Sequence, residues 1–277
     1  MKLTDGSSLA VAALPLRKEI DELSAVELAG LRAGYAGMQA ISDNRGFNYL
    51  SGLHGIPGNY CVHYDDPPLF LPWHRAYLHE FEQYLQDRAE TATVPWWDWT
   101  IDRGGNIPQA FAAPQSPDGS ANPLYASQIN QPTANPPIVR QTQRFPMTGQ
   151  PLPDPSVVTN LVALTDFEDF STQLRGGVHN QLHGWTGGMG MVGGRRTYGD
   201  MAVVPVAAFD PIFYSHHCMI DRIWYLWQLQ NGVTNIPQAI LNTVLPPFNV
   251  KVADVLDIHQ LGYDYAIGAT TTSGSTP

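Results

Sequence analysis

Charged residues, and basic residues above all, are scarce in this chain. Asp, Glu, Lys and Arg make up 14% of the 277 residues, and 15 Lys and Arg stand against 25 Asp and Glu, so the formal net charge is −10. A surface that binds nucleic acid needs positive charge to meet the phosphates. The composition therefore argues against nucleic acid as a partner.

Cysteines and long apolar runs are also few. The chain has two cysteines, Cys61 and Cys218, which cannot build a disulfide framework. No apolar run approaches the roughly 20 residues that cross a bilayer. A signal peptide has a basic stretch followed by an apolar one, and the sequence that begins with Met1–Gly6 does not show this pattern. We therefore expect no membrane association, and either a cytoplasmic protein or the mature form of an exported one.

Glycine, proline and apolar residues are abundant instead. The chain has 25 Gly and 23 Pro, and 43% of its residues are hydrophobic. This mixture predicts a sizeable core of helices joined by long ordered loops. No internal repeat or linker divides the chain. We therefore predict a single core domain over residues 1–269 and a disordered Thr/Ser/Gly tail over 270–277.

Four segments have helical signatures. A capping-box pattern at Ser24–Glu27 predicts a helix from Ser24 to Ile41. Pro72 is typical of a first helical turn and predicts the start of a second helix. Phe167–Trp185 is predicted as the third helix, and Asp210 as the N-cap of the fourth.

The segments between these helices are rich in turn-forming residues. Residues 42–66 and 101–156 are expected to be loops because Gly, Pro, Asn and Ser interrupt any period. Val203–Pro205 and residues 256–267 are expected to be short extended pieces.

Histidine is the residue type that carries chemistry here. His179 and His183 lie one helical turn apart, so both imidazoles can reach one metal ion from the same helix face. Six of the nine histidines form two triplets along the chain: His54, His63 and His74, then His179, His183 and His217. Neutral imidazole suits zinc, copper, iron or nickel. His79, His216 and His259 are expected to serve packing or hydrogen bonding.

The residues between the paired histidines bear on the reaction type. Zinc hydrolases often place a glutamate base between two such ligands. Here Asn180, Gln181 and Leu182 occupy that interval, which makes hydrolysis a weaker hypothesis.

Around these histidines the sequence resembles the tyrosinase family, which includes catechol oxidases (polyphenol oxidases) and molluscan hemocyanins. The first copper-binding signature of that family is similar to Leu69-Phe70-Leu71-Pro72-Trp73-His74-Arg75-Ala76-Tyr77-Leu78. The second is similar to His179-Asn180-x-x-His183 and to Asp210-Pro211-Ile212-Phe213-x-x-His216-His217-x-x-x-Asp221-Arg222-x-Trp224. Pro95-Trp96-Trp97-Asp98-Trp99 matches the aromatic motif between them. The resemblance spans residues 17–267. It implies a mainly α fold in which a central four-helix bundle holds a type-3 dicopper site, with long ordered loops and few short strands.

The resemblance also implies the ligands of two copper ions. His54, His63 and His74 would bind one ion, and His179, His183 and His217 the other. The family uses the second histidine of the His216-His217 tandem, which leaves His216 beside the ligands. Asp221 is expected to orient a ligand imidazole through a hydrogen bond. Cys61 is expected to form a thioether bond with His63, with an unmodified buried cysteine as the alternative.

Three residues are expected to shape access to the site. Asn180 and Gly184 each follow a ligand of the second copper, and Val204 resembles the gate residue of bacterial members, with an ordinary core valine as the alternative. Family members hold a water with the Glu of a Leu-Glu pair before the first of these ligands, but this chain has Leu174-Arg175. This departure counts against monophenol hydroxylation and leaves diphenol oxidation unaffected.

The end of the core also resembles the family. Leu261-Gly262-Tyr263-Asp264-Tyr265 is similar to its closing tyrosine motif, for which Arg17 is the candidate N-terminal partner. Because the covering C-terminal domain of many members has no counterpart here, we expect an uncovered core.

The function that the resemblance implies is that of a dicopper oxidoreductase. We expect it to use O2 to oxidise o-diphenols to o-quinones. Monophenol hydroxylation by a monooxygenase step is a further candidate activity, against which Leu174-Arg175 counts. An o-aminophenol oxidase and a hemocyanin-like oxygen-binding protein are the alternatives. The expected partners are a small phenol, O2 and, as a further candidate, a copper chaperone.

Overall fold

The computed structural model describes residues 13–61 and 66–266, and within them the fold is mainly helical. The α-helices are α1 (Ala25–Gln39), α2 (Phe47–His54), α3 (Pro67–Gln86), α4 (Gln109–Ala112), α5 (Ser156–Val162), α6 (Phe167–Leu174), α7 (Asn180–Gly187) and α8 (Ile212–Asn231). The predicted fold class is thereby confirmed. The predicted tail over 270–277 lies outside the described residues.

The strands are short and form two-stranded sheets. β1 (Leu16–Arg17) pairs in parallel with β8 (Asp264–Tyr265). The antiparallel pairs are β2 (Gln128–Gln131) with β3 (Ile138–Gln141), β4 (Met189–Val192) with β5 (Arg195–Tyr198), and β6 (Val244–Leu245) with β7 (Val250–Lys251). β1 and β8 thus join the two ends of the described chain.

The first predicted helix is confirmed together with its capping box. The Ser24 hydroxyl accepts a hydrogen bond from the Glu27 N–H, and the Glu27 carboxylate accepts one from the Ser24 N–H. The region after α1, expected to be a loop, instead contains α2. Its glycines mark the ends of that helix, because Gly46 is the N-cap and Gly55 the C-cap.

The predicted start of the second helix is wrong. α3 begins at Pro67, with Asp66 as its N-cap, and Pro72 lies inside the helix. Pro67 already takes the first-turn position, where a missing N–H costs nothing. Pro72 gives up one internal hydrogen bond within a segment whose side chains, from Phe70 to Leu78, are all buried.

The third predicted helix is interrupted just before its histidines. A π turn over Arg175–His179 separates α6 from α7, and the Asn180 N–H donates to the Arg175 carbonyl. Gly177 leaves helical geometry within this turn, with φ −88° and ψ −108°. A π turn of this kind shifts the following residues around the helix axis and is frequent at functional sites.

Two further expectations of extended chain need correction. Val204–Phe209 forms a 3₁₀ helix with Pro205 in its first turn, so Val203–Pro205 is not a strand. Of residues 256–267, only Asp264–Tyr265 is a strand in the described part. The fourth helix is confirmed as α8, but its N-cap is Pro211, so the prediction of Asp210 at that position is wrong by one residue. Asp210 Oδ1 still accepts the Ile212 N–H, at 3.3 Å.

The core lies where α3 and α8 pack together. Five tryptophans have under 2% of their surface exposed: Trp73, Trp97, Trp99, Trp224 and Trp227. Every helix of the described chain is too short or too polar to cross a membrane.

Candidate metal centre

The fold brings the described histidines of both predicted triplets into one cluster. His54 ends α2, His74 lies in α3, His179 and His183 flank the start of α7, and His217 lies in α8. The ring centroids of His54 and His74 are 5.7 Å apart, those of His74 and His217 4.4 Å, and those of His179 and His183 4.6 Å. Residues that are far apart in sequence therefore share one buried centre.

Within this cluster the potential donor atoms form two groups. Those of His179, His183, His216 and His217 lie within 4.8 Å of one another, and so do those of His54, Cys61 and His74. His63 lies outside the described residues, so neither its predicted ligand role nor the predicted Cys61 thioether is tested. Cys61 and Cys218 are both buried and form no disulfide.

The backbone fixes which ring nitrogen carries the proton in three of the imidazoles. His74 Nδ1 lies 2.8 Å from the Phe70 carbonyl oxygen, His179 Nδ1 3.2 Å from that of Arg175, and His183 Nδ1 2.7 Å from that of Met201. A carbonyl oxygen only accepts, so each Nδ1 is the donor. The lone pair of each ring is therefore on Nε2.

These lone pairs point into the cluster. The Nε2 atoms of His74 and His179 are buried without a hydrogen-bond partner among the described residues. His183 Nε2 lies 3.2 Å from His217 Nε2, close to the spacing of two nitrogens bound to one metal ion at about 2.0 Å each. Unpaired buried acceptors are costly, and a metal ion would satisfy them. The donor set therefore fits a metal.

Burial also keeps the imidazoles neutral. It lowers the pKa of His74 to about 3 and that of His183 to about 4. The pKa values of His54, His179 and His217 lie well below the usual value, first because of burial and then because the neighbouring imidazoles repel added positive charge. Metal binding needs the neutral form, so the rings are poised as ligands near neutral pH.

Two phenylalanines pack the ligand rings in place. Phe70 lies with its ring centroid 4.5 Å from that of His74 and 4.8 Å from that of His179. Phe213 lies 4.2 Å from His217 and 4.7 Å from His54. Sequence reasoning did not assign them this role, although each stands four residues before a histidine on the same helix.

His216 and Asp221 have different surroundings from those expected. His216 is fully buried, and its donor atom falls within the same group as those of the predicted ligands. The prediction that Asp221 accepts a hydrogen bond from a ligand imidazole is wrong. Its carboxylate accepts from Arg75 Nε at 2.5 Å, Tyr263 at 2.8 Å and Tyr265 at 2.6 Å. Asp221 therefore connects α8 to α3 and to the Tyr263–Tyr265 segment.

A cavity of about 450 Å³ opens beside the histidines. It is lined by His54, Cys61, His179, Asn180, His183, Gly184, Met201, Ala202, Val204 and Ala207. All three residues expected to shape access are therefore at this cavity. Val204 is 48% exposed, so it is not an ordinary core valine, and a Cβ added to Gly184 would meet no atom within 4 Å.

A family model described as the common central domain of tyrosinase matches residues 44–230, which is more than half of the chain. The chain belongs to the tyrosinase family. Members of this family bind two copper ions, and the two histidine-rich groups are compatible with such a pair.

Relatives in this family include oxygen carriers and enzymes. The chain is 30% identical over 291 residues to hemocyanin A-type, units Ode to Odg, of Enteroctopus dofleini, covering 92% of this chain and 22% of that protein. It is 27% identical over 277 residues to the chloroplastic (+)-larreatricin hydroxylase of Larrea tridentata, covering 83% of this chain and 45% of that one. The chain thus spans less than half of each of these relatives.

The fold is shared with a solved tyrosinase. The structure of the enzyme from Burkholderia thailandensis superposes with a TM-score of 0.76 at 23% identity, covering 93% of this chain and 75% of that one. At this identity the likeness concerns the fold.

Proposed function

We propose that this tyrosinase-family protein is an enzyme that uses O2 to oxidise o-diphenols to o-quinones. The observation that carries the proposal is the open cavity of about 450 Å³ directly beside the histidine groups. Cavities of this size hold small organic ligands. In this reaction each diphenol would lose two electrons and two protons, so two diphenols would reduce one O2 to two waters.

The protein's own residues would bind and orient the phenol. The bound copper pair would supply the redox chemistry, held by His54, His63 and His74 and by His179, His183 and His217. Met201, Ala202 and Ala207 offer an apolar wall for the aromatic ring. Asn180 Oδ1 lies 3.0 Å from His179 Nδ1, so its amide is held at the cavity wall beside a ligand ring.

Reversible oxygen binding is the second candidate, because a hemocyanin is among the relatives at 30% identity. The exposure of Val204 and the open space at Gly184 favour the enzyme, since a pure carrier gains nothing from room for a phenol. Monophenol hydroxylation is less well supported, because Arg175 stands where the family's water-holding glutamate is expected.

The test is oxidation of catechol by the copper-loaded protein, followed as quinone absorbance and as O2 uptake. Turnover with one O2 consumed per two catechols supports the proposal. Reversible O2 uptake without quinone would instead identify a carrier. A parallel panel of monophenols and o-aminophenols, on wild type and on Arg175→Glu, separates the remaining activities. If Arg175→Glu shows no higher activity on monophenols than wild type, Arg175 is not what limits monophenol hydroxylation.

A further inference from the structure

The described residues that line the cavity beside the histidines include no Asp, Glu, Lys or Arg. Apart from its imidazoles and Cys61, the described wall consists of Met201, Ala202, Val204 and Ala207 with Asn180 and Gly184. Away from the imidazoles and Cys61, a ligand in this cavity therefore meets apolar side chains and one amide.

The nearest charged pair along the chain is engaged elsewhere. Asp200 directly precedes Met201, but its side chain is 1% exposed and accepts two hydrogen bonds from Arg140, at 2.8 and 2.6 Å. The Gln143 N–H also donates to Asp200, at 2.6 Å. This guanidinium and carboxylate neutralise each other, so neither is free to pair with a charged substituent.

A wall of this composition should discriminate between phenols by the charge of their ring substituent. A carboxylate or ammonium taken from water into such a wall loses hydration without gaining a partner. An apolar substituent of the same size gains by leaving water. Small changes in an apolar pocket shift kcat/KM by roughly 10- to 200-fold.

We infer, on the basis of the proposed function, that the preferred substrates are neutral o-diphenols with an apolar ring substituent, and that acids and amino acids are poor substrates. Val204 is the specificity-determining residue of this selection. It lines the cavity and is 48% exposed, so a longer side chain at this position reaches both the substituent and solvent.

The first experiment compares two substrates of the same skeleton. 3-(3,4-Dihydroxyphenyl)propanoate and its methyl ester differ in charge and little in shape. We expect kcat/KM for the ester to exceed that for the acid by about tenfold or more. Because both are measured on one preparation, copper loading cancels in the ratio. Equal values for acid and ester would overturn the inference.

The second experiment introduces a positive charge at position 204 and measures how the preference between acid and ester changes. Val204→Lys should raise kcat/KM for the acid relative to the ester by about tenfold, because it supplies the missing counter-charge. Val204→Gln, of similar length but neutral, should keep the wild-type ratio. The same change of ratio in both variants would mean that shape and not charge is responsible, which contradicts the role assigned to Val204.

A binding assay separates this inference from the proposed function. 1,3-Diphenols lack the vicinal hydroxyls that direct oxidation to an o-quinone requires. The 2,4-dihydroxyphenyl analogues of the same acid and ester therefore report binding alone when calorimetry is done without O2. If no catechol is oxidised, the proposed function fails, yet tighter binding of the ester still supports a neutral-ligand cavity. If neither analogue binds and no catechol is oxidised, both proposals are wrong.

Discussion

At the scale of single residues, the candidate metal centre depends on which nitrogen of each imidazole keeps its proton. Backbone carbonyls hold the Nδ1 protons of His74, His179 and His183, which leaves each Nε2 as an acceptor inside the cluster. Residue spacing predicted that His179 and His183 share a helix face. It could not predict the Met201 carbonyl, which lies 18 residues beyond His183 and approaches only in the folded chain.

Replacing one described ligand should remove one metal ion and spare the other. We expect His74→Gln to lower the copper content per chain by about half, because the ring belongs to only one of the two donor groups. Metal analysis of the dialysed protein measures it. His79→Gln, on the same helix and outside both groups, is the matched control and should keep full copper. Full copper in His74→Gln would contradict the assignment.

Gly184 offers a test of access to the cavity. A Cβ there meets open space, so Gly184→Ala should stabilise α7 by about 0.5–1 kcal/mol through helix propensity. Gly184→Phe should fold equally well and should lower kcat/KM for catechol, because its ring enters the cavity. Thermal unfolding and steady-state kinetics measure the two effects. Unchanged kinetics in Gly184→Phe, with Gly184→Ala as reference, would place the substrate elsewhere.

At the scale of elements, sequence patterns identified the helices better than their ends. Apolar periodicity and the Ser24 capping box were sufficient for α1. Glycine and proline led to two wrong predictions. Gly46 and Gly55 cap α2 in a region predicted to be a loop, and Pro72 lies within α3 although it was predicted to begin that helix. The π turn before α7 could not be predicted either, because a Gly-Gly pair signals a break without giving its geometry.

The turn that supports His183 is held by an ion pair, which gives an element-scale prediction. Asp200 binds Arg140 and the Gln143 N–H, and the next residue, Met201, presents the carbonyl to His183. We expect Asp200→Asn to loosen this turn and weaken copper binding by roughly 10-fold, the lower end for an outer-shell change. A competition titration with a copper chelator measures it.

The control for this variant is an exposed ion pair remote from the site. Asp43 and Arg45 are half exposed and contact each other at 2.7 Å. Asp43→Asn should leave copper affinity unchanged. Equal affinity in wild type and a folded Asp200→Asn would show that Met201 needs no such support.

At the scale of the whole molecule, a buried network joins β1 and the tyrosine motif, near the two ends of the described chain, to the histidine-bearing helices α3 and α8. Arg17 in β1 binds Glu82 of α3 and lies 3.6 Å above the ring of Tyr263, which confirms its predicted partnership with the tyrosine motif. Asp221 and Arg75 extend this network between α8 and α3. The resemblance indicated the tyrosine contact. The pairing of Arg17 with Glu82 and that of Arg75 with Asp221 had no sequence signal, because partners 65 and 146 residues apart meet only in the fold.

Breaking this network should destabilise the fold as a unit. Asp221→Asn leaves two fully buried guanidinium groups short of negative charge, which costs about 3–5 kcal/mol for a buried pair. Urea unfolding measures the loss. Arg45→Gln, at an exposed pair, should leave the free energy of unfolding nearly unchanged, because water and salt screen such a pair. If Asp221→Asn loses no more unfolding free energy than Arg45→Gln, the role of Asp221 in holding the buried network together is contradicted.

The buried histidines also set how the copper-free protein responds to acid. The folded pKa of His74 is about 3 and that of His183 about 4, both below the ordinary 6.5 of the unfolded chain. Above pH 6.5 both states are neutral, and stability is fully present. As the pH falls below 6.5, these histidines become protonated in the unfolded chain but stay neutral in the folded one. The free energy of unfolding therefore decreases progressively until the pH reaches the folded pKa values of about 4 and 3. Each such histidine contributes up to about 1.4 kcal/mol per pH unit.

We therefore expect the free energy of unfolding of the copper-free protein to fall between pH 7.5 and 5.5, a window in which ordinary carboxyl groups stay ionised. Urea titrations at the two pH values measure it. His183→Gln should lose less stability over the same interval, because the variant lacks one imidazole that is protonated in the unfolded chain and neutral in the folded one. A pH response as steep in His183→Gln as in wild type would mean that this imidazole takes up a proton as readily in the folded as in the unfolded chain, which contradicts the lowered pKa assigned to it.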